Sequence, residues 1–433
     1  MNHVEVAALR SVMETLEKGH ENVEVFAKVG RSRSLTLNID RQVLSLHDEA
    51  GWAVRAGDDR RSFFHAVAGV PTVDLRWPTP AAGGLRLAQP LTPTPFVEPD
   101  TVDRALVGEN EAQKLLATVA SELESELPKA RLLEARLDDG SSEARLLNNR
   151  GLDARIRRRL GVLRLHALLA EGTTTHVADT VAIAAAAQEL DARAAARRLV
   201  DLLTISRDGQ APERDRGEML LAPAVMIRIL AALLPLFLEL DAEARVTALS
   251  RSGRLASTAT TLIDDGRFGL LAAAVDGEGN PTRAINLVER GVYRQPLVSW
   301  AEARGAQVAS GCVRRDSWRE PPRRGISHFY LAPDNDVRVA DLLTAVARGY
   351  YLIDLGGAPR IDLDQDRLTV PVRGFALDGG RPKGAISGAW LSGSLSGFLA
   401  GIAATARDLT FLPIEGLIGA PTTLVRGLEL RRD

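Results

Sequence analysis

Histidine is the first residue type to weigh for metal or acid–base chemistry, and here its copies are scattered: His3, His20, His47, His65, His166, His176 and His328. No two stand four or five positions apart, so the imidazole pair that clamps zinc from one face of a helix is missing. His166 and His176 bracket an expected turn between two strands, where exposed polar side chains are ordinary. Cys312, the single cysteine, could meet His328 as nucleophile and base. Nothing beside it marks an activated thiol, and a lone cysteine reads first as a small buried hydrophobe. One cysteine also excludes an internal disulfide and any Cys-rich metal site built from this chain alone.

Two further clusters carry charge. Asp276-Gly277-Glu278-Gly279-Asn280-Pro281 sets two acids two positions apart. An acid–base pair would need a cleft around it, whereas a strand-to-strand turn needs only the Asp-Gly step that tolerates positive φ; the turn is the expected reading. Arg155, Arg157, Arg158, Arg159 and Arg164 alternate with Ile156 and Leu160, as along a strand. No aromatic residue for stacking bases lies between Thr101 and Phe237. The run therefore reads as a solvated face or a contact with an acidic partner, and nucleic acid is not an expected ligand. Neither a phosphate-cradling G-x-x-x-x-G-K-[ST] loop nor a dinucleotide fingerprint is present.

The chain that must position these groups has 433 residues, which suggests two or three domains, and 54 basic against 56 acidic side chains. That balance leaves no basic excess to attract nucleic acid or anionic lipid. Met1 to Leu9 carries Glu5 and no cationic lead into an apolar core, so no secretory signal is read and a cytoplasmic location is expected. Met219 to Leu238 is nearly long enough to span a bilayer, but Arg228 sits near its centre and Pro223 and Pro235 interrupt it. A buried helix is expected there, and no membrane contact.

Along the chain, Val6, Leu9, Met13 and Leu16 predict a helix that Gly19 stops. Period-two alternation over Val23–Val29 and Leu35–Ile39 predicts strands around a Gly30–Ser34 turn, and Gly57-Asp58-Asp59 a hairpin leading to Phe63 and Phe64. Seven prolines between Pro71 and Pro99, among them Pro90, Pro93 and Pro95, mark a connection. Ala112, Leu115, Leu116, Val119, Leu123 and Leu127 stripe a second helix that Pro128 ends. Strands are expected at Leu132–Leu137 and Glu143–Leu147 around Asp138-Asp139-Gly140, then a helix carrying Ala192, Ala195, Ala196, Leu199, Leu202 and Leu203 with Arg193, Arg197 and Arg198 outward. Residues 207–217 read as a polar linker. Beyond 245, turns recur at Gly356-Gly357, Gly379-Gly380, Gly384, Gly388 and Gly393, with short runs such as Gly269–Val275 and Thr423–Leu428 between them and one helix over Val337–Tyr351. The expected fold class is α+β: an N-terminal antiparallel sheet with helices over 1–99, a middle α/β segment over 100–213, and a mostly antiparallel β domain over 214–433.

One ordered series of segments carries a resemblance: Leu262-Ile263-Asp264-Asp265, Val275 to Thr282, Leu287 to Tyr293, Ser310 to Arg315, Pro321-Pro322, a helix closing at Gly349, Gly388 to Leu395, and Gly419-Ala420-Pro421-Thr422. In order and spacing the chain resembles the TldD/PmbA family, weakly also over the N-terminal sheet and the Asn148-Asn149-Arg150-Gly151 turn. The resemblance implies a zinc metallopeptidase built from two related chains: a TldD-type chain with H-E-x-x-x-H on a central helix and a cysteine ligand near its C-terminus, and a TldE (PmbA)-type chain of the same fold without ligands. At the corresponding place this sequence reads Ala224-Val225-Met226-Ile227-Arg228-Ile229-Leu230-Ala231-Ala232-Leu233-Leu234, and Asp408 to Pro421 holds no Cys. Zinc ligands need lone pairs on N, O or S, so the chain resembles the metal-free, TldE-like partner.

The resemblance thus implies a non-catalytic subunit with no cofactor of its own. It would pair as a heterodimer with a TldD-like chain that carries the zinc, and help form a cleft where peptides are cut or matured. Asp276, Glu278, Arg283, Gly388, Trp390 and Ser392 are the candidate peptide or partner contacts, on the expectation that an extended peptide adds to a free strand edge at 388–395 or to the 264–283 loops. A second reading is a stand-alone or homodimeric peptide-binding or biosynthetic accessory protein without protease activity. A third is an enzyme using Cys312 or Asp276 and Glu278 in an unrelated way.

Overall fold

A computed structural model describes residues 5–432 apart from 40, 89–95, 97, 99, 213, 240 and 307–309. His3 and four prolines of the connection (Pro90, Pro93, Pro95 and Pro99) lie outside the described residues. Among the described residues the N-terminal part is helix α1 (Val6–Glu17), strands β1 (Asn22–Asn38), β2 (Gln42–Gly57), β3 (Arg61–Ala68) and β4 (Ala81–Ala82), helix α2 (Glu109–Glu126), strands β5 (Ala130–Asn148), β6 (Asp153–Glu171) and β7 (Thr174–Ala184), and helix α3 (Ala192–Asp208). The strands form one sheet in the order β4-β3-β2-β1-β5-β6-β7, antiparallel throughout.

Side chains of a strand alternate between faces, and β1 uses that alternation to divide its work. Val23, Val25 and Ala27 pack under α1, and Leu35, of the same parity, packs under α2 and α3. Phe26 points the other way and packs with Leu146, Leu152 and Trp318 of the C-terminal half. The stripes read for α2 and α3 are buried as expected, and Asp191 caps α3 by accepting the Ala194 N–H at 2.9 Å.

Two strands run straight through stretches expected to turn. Gly30–Ser34 lies inside β1, where Gly30 faces Glu49 of β2 and Ser142 of β5. Asp138-Asp139-Gly140 lies inside β5, with Gly140 opposite Ser32 and Leu160. Asp139 is held in the sheet by an ion pair with Arg159 and by the Val107 N–H at 2.6 Å. Pairing on both edges overrides the local preference for a turn.

The C-terminal part continues with β8 (Arg214–Arg216) and β9 (Glu218–Leu221), the short helices α4 (Pro223–Ala231), α5 (Pro235–Leu238) and α6 (Glu243–Leu249), and β10 (Leu262–Asp265), β11 (Ala284–Glu289) and β12 (Val292–Tyr293). Helix α7 (Trp300–Ala306) precedes β13 (Val313–Arg314), β14 (Arg323–Arg324) and β15 (His328–Leu331); α8 (Val339–Ala345) precedes β16 (Arg348–Leu355), β17 (Arg360–Asp362), β18 (Arg367–Asp378) and β19 (Arg381–Gly393). After α9 (Leu395–Gly401) come β20 (Ile402–Thr405), β21 (Thr410–Pro413), β22 (Leu417–Ala420), β23 (Thr423–Val425) and β24 (Glu429–Arg432). One sheet runs β12-β11-β10-β15-β22-β21; a larger one runs β20-β23-β9-β16-β18-β19-β24-β8, with β17 beside β18. The expected α+β class and the mostly antiparallel C-terminal half are both present.

Three expectations are corrected here. The apolar stretch 219–238 is a strand and two short helices, each helix opened by a proline whose fixed φ suits a first helical position. The helix over Val337–Tyr351 ends at Ala345, and Gly349 sits in β16 so close to β9 that a Cβ would stand 2.0 Å from the Glu218 carbonyl oxygen. Gly269–Val275 is loop with only a Val275–Pro281 bridge, while Gly384 and Gly388 lie within β19. Among the described residues no helix is long and apolar enough to cross a membrane.

Candidate functional site

Helix α4 packs between the two C-terminal sheets, against β16 on one side and β21 and β22 on the other. Val225, Met226, Ile227, Ile229 and Leu230 are buried in the largest core, Pro223, Ala224 and Ala231 are half-buried, and Arg228 is the exposed residue of the helix. Its N-terminal end is tied down by the Ala222 N–H, which donates to the Leu352 carbonyl at 2.9 Å. The exposed side of α4 forms one wall of a cleft of about 780 Å³ between the two halves of the molecule. The opposite wall is β7 and α3, and the floor is the end of β16 with the Gly356-Gly357 loop.

Three arginines and two acids line this cleft. A register shift in β16 opposite β18 sets Asp354 against Arg373; such bulges commonly re-aim side chains near working sites. Arg373 donates from Nη1 to the Val177 carbonyl at 2.9 Å and to Ser206 Oγ at 2.6 Å, and its Nη2 stands 3.8 Å from Asp354 Oδ2. Arg198 donates from Nη2 to the Ile353 carbonyl at 2.7 Å, so this side chain, expected to face outward, turns into the cleft. Burial holds the Asp354 carboxyl above its ordinary range, although Arg373, Arg198 and Arg228 pull it down. Neither Arg198 nor Arg373 belongs to a sequence motif; only the crossing of α3 and β18 in space makes them neighbours.

The donors do not suit zinc. Helix α4 presents carbon and one guanidinium, and among the described residues no group of three or more His, Cys, Asp and Glu side chains could hold a metal ion.

The Asp276–Pro281 segment is a turn sealed beneath the N-terminal sheet. Asp276 Oδ1 accepts the N–H groups of Glu278 and Asn280, both at 2.9 Å, and Oδ2 accepts that of Val313 at 3.3 Å. Glu278 accepts the Trp300 N–H at 2.9 Å. Gly279 needs its positive φ of 86°, and a Cβ there would meet Leu152 Cδ2 at 2.1 Å. Burial pushes Asp276 up to about 7, with Glu278 adding to it, and burial likewise takes Asp264 up to about 7. Above this turn Glu24 of β1 binds Arg55 through both carboxylate oxygens at 2.9 and 2.7 Å and Arg315 at 2.7 Å. Burial would raise Glu24, but the two guanidiniums hold it below the usual carboxylate range.

The remaining candidates separate. Arg283 is exposed at the start of β11, Gly388 is exposed in β19, and Trp390 and Ser392 are half-buried there. Trp390 and Ser392 share no partner with Asp276 or Glu278 in the described structure. Over Ala389–Ser392, β19 pairs with β18 on one side and β24 on the other, so the free strand edge expected at 388–395 is closed along these residues. Cys312 is buried, its Sγ donating to the Val298 carbonyl at 3.3 Å, and burial with nearby Asp264 and Asp276 raises its thiol well above the ordinary value. His328 is engaged at both nitrogens, with the Asp265 carbonyl at 3.1 Å and the Leu271 N–H at 3.2 Å, and burial lowers it to about 4. That pair of bonds fixes a neutral imidazole with no lone pair left to activate a thiol.

Nor does the arginine run await an outside partner. Arg155 pairs with Glu143 at 2.6 Å, Arg157 with Glu98 and Asp103, Arg158 with Asp316 at 3.3 Å, Arg159 with Asp139, and Arg164 with Asp138 at 2.7 Å. The run is an intramolecular ion-pair ladder, exposed at Arg155 and Arg164 as expected of a solvated face, with acids supplied by β5, by the connection and the turn after it at Glu98 and Asp103, and by Asp316 between β13 and β14.

Comparison with known proteins places this architecture. The family model described as the PmbA/TldA metallopeptidase C-terminal domain matches residues 214–432. The crystal structure of TldE from Thermococcus kodakarensis is similar with a TM-score of 0.84 and 18% identity, over 98% of this chain and 99% of that one. A protein described as a modulator of DNA gyrase from Thermotoga maritima gives 0.79 and 15%, over 98% and 99%. Its counterpart from Bacteroides thetaiotaomicron gives 0.74 and 16%, over 99% of each chain. At these identities the likeness is one of fold. No curated protein matches the sequence. Since the family model spans more than half of the residues, and the segments that resemble the family fall within it, the chain belongs to the TldD/PmbA family.

Proposed function

We propose that this chain is the metal-free member of a pair, joined to a TldD-like zinc metallopeptidase chain and contributing a wall of the cleft in which peptides are cut or matured in the cytoplasm. The observation that carries the reading is α4. In the family resemblance this helix stands where a zinc chain bears H-E-x-x-x-H, and here Val225, Met226, Ile227, Ile229 and Leu230 are committed to the core. A buried aliphatic face contributes roughly 1.5–3 kcal/mol per side chain to stability but offers no lone pair to a cation. Reactivity toward peptide bonds must therefore come from a second chain, with zinc held there.

Co-expression with a TldD-like chain encoded near it tests the reading. The expected result is a one-to-one complex by light scattering, one zinc per complex, and peptidase activity that the present chain lacks alone. Stoichiometric zinc and peptidase activity in the purified single chain would overturn it.

A further inference from the structure

The cleft beside α4 holds more positive charge than its own acids answer. Arg198, Arg228 and Arg373 reach it from three elements, against Asp179 and Asp354. Asp179 is engaged with His166, and the 3.8 Å from Asp354 to Arg373 is too long for a hydrogen bond. Arg228 makes no hydrogen bond or ion pair with any described residue. Arg373 is only 6% exposed, yet its Nε has no partner among the described residues. Such a group is costly to leave unanswered in a low-dielectric setting. Burial, reinforced by Arg198, also disfavours the charged form of Arg373 against the pull of Asp354 and Asp179. Because arginine keeps its proton in proteins, a counter-charge is what relieves it. The rest of the lining is mainly apolar, with Val177, Leu202, Ile227, Leu355 and Leu412, beside the hydroxyl-bearing Thr180, Tyr351 and Thr410, and the volume suits a small ligand.

We propose that this cleft binds a carboxylate carried on an apolar peptide segment, with Arg228 and Arg373 on the carboxylate and the aliphatic wall on the neighbouring side chains. This deepens the reading of the chain as a peptide-handling subunit and rests on it. The planar fork of arginine matches two carboxylate oxygens, which a single ammonium does not. The carboxylate could be a peptide C-terminus or the side chain of Asp or Glu, and the two are told apart by the ligand used.

The test is calorimetric titration of the full chain with three peptides: N-acetyl-Ala-Leu-Val-Ala-Leu as the free acid, the same peptide as its C-terminal amide, and that amide with Glu in place of the last Leu. One or both acidic peptides are expected to bind on the order of tenfold or more tighter than the plain amide, the size of one charge-assisted hydrogen bond. Whichever acid wins identifies the source. Arg228→Gln, at an exposed side chain without a hydrogen bond or ion pair, is expected to erase that preference while leaving the melting curve unchanged; Arg373→Lys, which keeps the charge but loses the bonds from Nη1 to Val177 and Ser206 that position it, is expected to reduce it. Equal affinity for acid and amide, no binding by any peptide to the folded chain, an unchanged preference in Arg228→Gln, or inorganic phosphate binding as tightly as the peptide acid would each overturn the proposal. None of these results bears on pairing with a zinc chain, which the titration does not include.

Discussion

Two regions of this molecule are built from the same residue types and come out opposite in character. Beneath the N-terminal sheet, Glu24 joins Arg55 and Arg315, with Arg315 also stacked over the Phe26 ring at 4.4 Å. Glu24 and Arg315 have side chains only 1% exposed. Beside α4, Arg228 and Arg373 face Asp354 without a hydrogen bond between them, and one side is open. In the first region the carboxylate is already supplied by β1, so the guanidiniums act as a seam between the two halves. In the second, Asp354 stands at ion-pair distance from Arg373 without a hydrogen bond, and Arg228 has neither a hydrogen bond nor an ion pair with any described residue. Composition does not separate a seam from a site; whether the charges are answered by hydrogen-bonded ion pairs does, and Arg315 meets that through Nη1 although its Nε and Nη2 have no hydrogen-bond partner among the described residues.

If the comparison holds, the largest effect belongs to the seam. Glu24→Ala leaves two buried guanidiniums without their counter-charge, and a loss of about 3–5 kcal/mol is expected, read as a large drop in the urea midpoint. A midpoint within error of wild type would show that the seam is not closed after all. Next, Gly279→Ala combines a positive φ with contact on Leu152 and should cost about 1–3 kcal/mol by the same measurement.

The pH dependence is smaller and has a definite sign. Asp276, pushed up to about 7, keeps in the folded chain a proton that the unfolded chain gives up near pH 4. Its contribution to stability is therefore present at the acid end and lost as pH rises toward about 7, with a slope of at most about 1.4 kcal/mol per pH unit. His328, lowered to about 4, works the other way: its contribution is present above the unfolded histidine value and lost as pH falls. Comparing wild type with Asp276→Asn reads the first effect, because groups remote from this turn cancel. The stability gap should narrow between pH 5 and 8, and a gap constant across that range would count against a protonated Asp276. The smallest change is expected at the open site, where Arg228→Gln should alter stability by less than about 0.5 kcal/mol, measured by thermal melting.

The legible parts of the sequence were those in which one physical pattern repeats. The stripes of α2 and α3 carry their burial in their spacing; the alternation of β1 at Val23, Val25 and Ala27 gave the strand, but Asn22 to Ala27 are buried on both faces because the C-terminal half covers the second one. Breakers misled where pairing on both edges absorbed them, as at Gly30 and Gly140. An unbroken apolar run has no period, so 219–238 could not be divided into β9, α4 and α5 in advance. Arg198 and Arg373 lie far apart in the chain and carry no motif, and what joins them is the packing of α3 against β18 and β19. By contrast the emptiness of α4 as a ligand set was readable from residue types alone, since no folding turns isoleucine into a donor.

The Glu24–Arg315 contact has a consequence for anyone who wishes to take the molecule apart. Scission near residue 213 would strand a cation in one fragment and its anion in the other, and bare Phe26 and Trp318 to water. Chimeras with a relative inherit the same obligation: a transplanted N-terminal sheet must arrive with an acid that fits the host's guanidinium, or the graft will not seat.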